Sequence, residues 1–161
     1  MPGDSNGQTK RLNKLQPHFF TSGWFYLSEE ARNVFCRFDI GQGQIYPVEI
    51  LEEDRKTRLP IKYYCVNFAN VKSCLLPEQS KDIKENRYVP GKWVYRDYYK
   101  DIRDREYGIV VTPAALQGPD MWLAKNLSSI LFLSDRLVQG LKAAGVDRDF
   151  NLFRCKVLDQ G

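Results

Sequence analysis

Histidine is almost missing from this chain of 161 residues: His18 is the only one. A Ser–His or Cys–His nucleophilic pair would have to use it. It stands between Pro17 and Phe19 beside a polar tail, and so reads as a loop residue rather than a catalytic base. Metal chemistry is poorer still, because one His and scattered Cys supply no recognisable ligand set. The four Cys, at 36, 65, 74 and 155, include no pair at the two-residue spacing of a zinc knuckle or a redox motif. Cys36, Cys65 and Cys155 lie in apolar runs and are expected to be small buried side chains. All four are expected reduced, with no metal and no cofactor. Gly41–Gln42–Gly43 is too short for a dinucleotide fingerprint or phosphate loop, and no Lys–Ser or Lys–Thr pair follows it. No run approaches the roughly 20 apolar residues of a membrane span. Met1 is followed by PGDSNGQTK, which has no apolar stretch, so the expectation is no signal peptide and a soluble, cytoplasmic setting.

A charge of one sign is also lacking. Lys and Arg number 24 against 20 Asp and Glu, a net +4, and they interleave in KDIKENR (81–87) and KDIRDRE (100–106). Interleaved charge reads as a solvated face, whereas a nucleic-acid footprint is normally a one-signed stripe. What is abundant is apolar and aromatic surface, with nine Tyr, nine Phe and three Trp. That suffices for one domain with a sizeable core. Residues 1–16 are polar and aperiodic and read as a flexible tail, leaving 17–161 as a single domain.

One short signature occurs twice. Residues 25–30 read FYLSEE and residues 131–136 read LFLSDR. Each Ser precedes an acid and an apolar-periodic stretch, the pattern of a helix N-cap. Leu133, Leu137, Val138, Leu141 and Ala144 fall at helical spacing, with Gly145 as the stop. Ala31, Val34, Phe35 and Phe38 repeat this less cleanly, with Gly41 and Gly43 expected to end the helix. An apolar run follows each helix, IYPVEI (45–50) and LFRCKV (152–157). The reading is α+β, with a mixed, mostly antiparallel sheet and two Ser-capped helices, Ser28 and Ser134 being the caps. Either the chain holds an internal strand–helix–strand duplication, or two ordinary capped helices resemble each other by chance.

Between the copies, 45–51 and 61–67 read as strands joined by the charged turn 52–60. Residues 68–76 read as extended or briefly helical, and 77–88 as a loop with helical turns. Residues 93–99, 107–111 and 130–133 read as strands, and MWLAKN (121–126) as a short helix or turn. The segment KWVYRDYYKDIRDREY (92–107) is the best candidate surface, since Tyr, Trp and Arg anchor interfaces and also stack on bases. The two-residue strand period turns Trp93 and Tyr95 inward and leaves Arg96 and Tyr98 outside, and Arg103, beyond the strand, is also read as available outside.

Two tracts carry a family resemblance. YYCVNFANVKSCLLPEQS (63–80) resembles a tract of a bacterial polymorphic-toxin immunity family, the eleventh numbered immunity class. Residues 118–157 resemble its C-terminal signature. That signature runs Asp–hydrophobic–Trp (Asp120, Met121, Trp122), an apolar strand, Ser–acid–x–Leu (Ser134 to Leu137), a helix ending Ala144–Gly145, and a closing strand. The match runs from about residue 24 onward. Its closing strand departs from the family's usual Pro–Val form, having Phe153–Arg154–Cys155.

The resemblance implies no enzyme. It implies a protein that binds the cognate toxin domain of a secreted effector and commonly occludes its active site. On that reading Arg96, Tyr98, Tyr99, Arg103 and Arg105 are the expected toxin-binding residues. Two other readings stay open: a nucleic-acid-binding module using 92–107, and a small enzyme with no recognisable motif.

Overall fold

The computed structural model describes residues 16–95, 105–128 and 130–159. The expected tail, apart from Gln16, lies outside the described residues. So do Arg96, Tyr98, Tyr99 and Arg103. The described chain is α+β, with short strands paired mostly antiparallel and two α-helices.

In chain order the strands are β1 (Phe19–Thr21), β2 (Phe25–Ser28), β3 (Gln44–Val48), β4 (Tyr63–Asn67), β5 (Val71–Lys72), β6 (Ile83–Glu85), β7 (Trp93–Tyr95), β8 (Val110–Val111), β9 (Met121–Ala124), β10 (Leu127–Ser128), β11 (Leu131–Leu133) and β12 (Lys156–Val157). Helix α1 spans Glu29–Phe35 and α2 spans Asp135–Ala143. An antiparallel sheet has the order β1-β2-β4-β3. Smaller sheets run β11-β9-β5, β10-β7-β6 and β12-β8.

Both helices start as the Ser–acid pattern dictates. Ser28 has extended backbone (φ −64°, ψ 167°), and its hydroxyl accepts the Ala31 N–H at 3.2 Å. Ser134 is alike (φ −69°, ψ 155°), accepting the Leu137 N–H at 3.2 Å. Glu29, Glu30 and Asp135 lie in the first turns, where the helix dipole favours negative charge. Helix α2 stops as a Schellman turn. Gly145 has φ +68° and donates to Lys142 O, and Val146 donates to Leu141 O at 3.0 Å. Val146 is buried in the same cluster as Leu141, the apolar contact that accompanies this motif.

We expect Ser28→Ala and Ser134→Ala each to cost about 1 kcal/mol in urea unfolding, with Ser134→Ala the larger. The difference arises because Ser134 also donates its hydroxyl to Asp120 at 2.5 Å. Unchanged midpoints for both variants would refute the capping role.

Besides residues 77–88, which carry strand β6 within the expected loop, and 107–111, a strand only at Val110–Val111, four sequence expectations fail. First, α1 ends at Phe35 with Cys36 as its cap, well before Gly41 and Gly43. Those glycines shape the turn into β3 instead. Gly41 has φ +57°, and a Cβ there would lie 2.4 Å from the Asn70 side-chain Oδ1. Second, Cys36 is exposed rather than buried, because it sits where the chain leaves the helix. Third, MWLA is strand β9, not a helix or turn. It is paired antiparallel to β11 and parallel to β5, so partners on both sides decide its state. Fourth, the closing run 152–157 forms a strand only at Lys156–Val157, beyond the left-handed kink at Asn151 (φ 50°). The two Ser-capped segments therefore share a strand end, a cap and a helix. Their following strands differ, β3 joining the sheet of β2 and β12 pairing elsewhere with β8.

The β9–β11 pair is the wall between two cores. Leu133 opposite Met121 and Leu131 opposite Leu123 form one face; Phe132 opposite Trp122 form the other, with rings 5.7 Å apart. Met121 joins Leu27, Val34, Phe35, Leu137 and Leu141 in the core under the helices. Trp122 and Phe132 join Cys74, Tyr95, Ile109 and Val111 in the second core. A strand buried on both faces reads as a continuous apolar run without alternation.

Candidate interaction surface

The Asp120 carboxylate ties the main elements together. It directly precedes β9 and is 1% exposed. Its Oδ1 accepts the Ser134 hydroxyl and the Arg136 Nε–H, and its Oδ2 accepts the Asp39 N–H at 2.9 Å. The Asp120 N–H donates to Asp39 O, and the Ser134 N–H donates to Asp120 O at 2.8 Å. Burial pushes the carboxyl upward, but the bonds from Arg136, Ser134 and the Asp39 N–H together hold it below the ordinary carboxylate range. The Asp and Ser of the C-terminal signature are thus direct partners, locking β9 and β11 to the start of α2.

The other cap carries the only His. His18 Nδ1 lies 2.9 Å from Ser28 Oγ, its N–H donates to Asp149 Oδ2 at 2.7 Å, and its carbonyl accepts the Ser28 N–H. A Ser, a His and an Asp do meet here. The arrangement is not that of a nucleophilic triad, because Asp149 holds the His18 backbone rather than the imidazole, and Ser28 is buried while capping α1.

Another cation, Lys72, is partly buried. Lys72 donates to Ala115 O and Pro119 O at 3.0 and 3.1 Å, and its ammonium lies 3.7 Å from the Trp122 ring centre. Burial pushes it below its usual value. Two of the thiols, Cys74 and Cys155, are shielded from reaction. Cys74 is raised by burial, with the Trp122 indole pulling the other way, and Cys155 is pushed up to about 12 by burial, Cys74 and Glu106. A thiol that stays protonated is a poor nucleophile at neutral pH. Among the described residues no group of His, Cys, Asp and Glu is arranged to hold a metal ion.

Of the expected toxin-binding residues, Arg105 is the one described. Its guanidinium lies 5.6 Å over the ring of Tyr95, which is buried and 5.9 Å from the Phe153 ring. Trp93 is half-buried against the same core, so both inward residues of β7 face as the strand period requires. Beyond Arg105, the Tyr107 N–H donates to Arg154 O at 2.8 Å, and the Arg154 N–H donates to Glu106 at 3.0 Å. Arg154 also donates to the Tyr107 hydroxyl at 3.4 Å, and Tyr107 is 49% exposed. Tyr107 and Arg154 thus share a rim with Arg105. Arg154 was not singled out from sequence, although it falls where the closing strand departs from the family form.

This rim borders a cleft of about 1130 Å³, walled by Phe19, Phe25, Leu133, Phe150 and Phe153 and carrying Arg105 and Arg154. Its lining mixes apolar side chains with both signs of charge, Glu106 and Asp135 standing beside Arg105, Lys142 and Arg154. No helix among the described residues is long and apolar enough to cross a membrane.

Residues 4–151 match the Immunity protein family (Imm11). Neither a curated protein nor a solved structure matches the chain. The match takes in α1, the Asp120–Ser134 lock and the whole of α2 with its Gly145 stop, and so this chain belongs to the Imm11 immunity protein family.

Proposed function

We propose that this protein neutralises a cognate bacterial toxin by direct one-to-one binding that covers the toxin's active site, with no turnover of its own. The family match over residues 4–151 carries the reading. The setting is competition between bacteria through polymorphic toxins, with this protein acting in the cytoplasm of the producer. We place the contact on the aromatic–basic segment 92–107, with Arg96, Tyr98, Tyr99, Arg103 and Arg105 against an acidic toxin surface. Opposite fields speed encounter and select the partner more than they add raw affinity.

The test is co-expression with the toxin domain encoded beside this gene. Cells carrying both should survive, and the two chains should elute together from a sizing column. Death at the rate of unprotected cells, with no complex, overturns the reading. A folded Tyr98, Tyr99, Arg103 triple-Ala variant should lose protection; if it protects fully, the contact lies elsewhere. Binding to a random RNA or DNA oligonucleotide that falls steeply with salt would instead favour a nucleic-acid module.

A further inference from the structure

The hairpin joining β6 to β7 presents a tyrosine to solvent on a tip with no slack. Tyr88 is 83% exposed, beside the exposed Arg87, Val89 and Pro90. An exposed aromatic on a loose loop would mean little, but this loop is fixed. The Asn86 side-chain Oδ1 accepts the N–H groups of Tyr88 and Val89 at 2.8 and 3.3 Å. The Gly91 N–H donates to Glu85 Oε1 at 2.8 Å, and the Lys92 N–H donates to Val89 O at 3.2 Å. Pro90 has no N–H, so every backbone donor from 88 to 92 is committed within the tip. Gly91 takes the positive φ (+72°) that closes the turn. Below it, Ile83 opposite Tyr95 root the hairpin in the second core.

Charge at the tip is mainly positive, with the exposed Glu85 as the one acid near it. Lys84, Arg87 and Lys92 are exposed. Of the two acids between 81 and 92, Asp82 is 2% exposed and Glu85 holds the Gly91 N–H. A Tyr on a hydrogen-bonded backbone tip, flanked by three cations, suits an acidic recess, because less backbone ordering remains to be met on binding.

We propose that residues 87–90 form a contact finger that seats Tyr88 in an acidic recess of the toxin domain, adding a contact beyond segment 92–107. This rests on the immunity reading. The probe is the adjacent toxin domain, purified as a catalytically inactive variant and titrated calorimetrically. Tyr88→Ala should weaken binding about 30-fold. Arg87→Glu should mainly slow association, with the loss shrinking as salt rises. Asn86→Ala keeps the contact groups but frees the tip, and should weaken binding by several-fold. Melting temperatures of Tyr88→Ala and Arg87→Glu should stay at the wild-type value, because both side chains are exposed. If wild type binds and Tyr88→Ala and Arg87→Glu bind within about threefold of it, the finger is wrong and the immunity reading stands. If wild type does not bind the toxin at all, both fall. If the variants keep toxin binding but lose affinity for a single-stranded RNA, the finger serves nucleic acid and the proposal is overturned.

Discussion

Asp120→Ala should destabilise the protein by about 3 kcal/mol in urea unfolding at neutral pH. The carboxylate is buried and accepts from Ser134, Arg136 and the Asp39 N–H. Removing it leaves the part-buried Asp39 N–H without its acceptor and strips a partner from the α2 cap. Arg136 is largely exposed, so its guanidinium returns to water and the loss stays below that of a fully buried pair. Acid should have a related effect. The folded carboxyl lies below its ordinary value, so its contribution is complete above the unfolded range, near about pH 4. It is lost as pH falls further, through the folded value. Wild-type midpoints should drop over that interval, and Asp120→Asn, which has no charge to lose, should lack this part of the drop. Parallel curves for the two proteins would remove Asp120 from the account.

Gly108→Ala should cost about 3 kcal/mol, or prevent folding. A Cβ at Gly108 would lie 1.6 Å from Asp82 Oδ2 and 2.4 Å from its Cγ. Asp82 has no room to retreat, because it is 2% exposed and its N–H is bonded to Gly108 O. Shortening Asp82 should relieve the collision, so Gly108→Ala should cost clearly less in an Asp82→Ala background. A double-mutant cycle in which the two costs simply add would show that the close approach is not what requires glycine here.

Local chemistry made much of this structure readable. A Ser followed by acids has one economical use before an apolar-periodic stretch, and both Ser caps are where that use places them. Gly145 was legible for the same reason, since a left-handed residue ends α2. Partners distant in sequence decided the rest. MWLA has no alternation because Met121 and Trp122 serve different cores, so its strand state appears only once β5 and β11 flank it. The Asp120–Ser134 pair was visible as two pieces of a signature, but their contact depends on the β9–β11 register. His18 looked idle because its partners, Ser28 and Asp149, are 10 and 131 residues away. Tyr88 gave no signal, since exposure and a braced tip are properties of the folded hairpin. For the interaction segment, sequence named five residues. Arg105 shares a rim with Tyr107 and Arg154, and Arg96, Tyr98, Tyr99 and Arg103 are outside the described residues.

The most direct test of neutralisation by one-to-one binding is a titration of toxin activity. The active toxin domain is held well above the dissociation constant, and its residual activity is measured as this protein is added. Binding alone predicts a straight fall that reaches zero at one molar equivalent, with active toxin recovered when the complex is dissociated under denaturing conditions and the toxin refolded. Complete loss of activity at a small fraction of an equivalent, or a recovered toxin that stays inactive, would mean that this protein modifies the toxin catalytically, and would contradict the account.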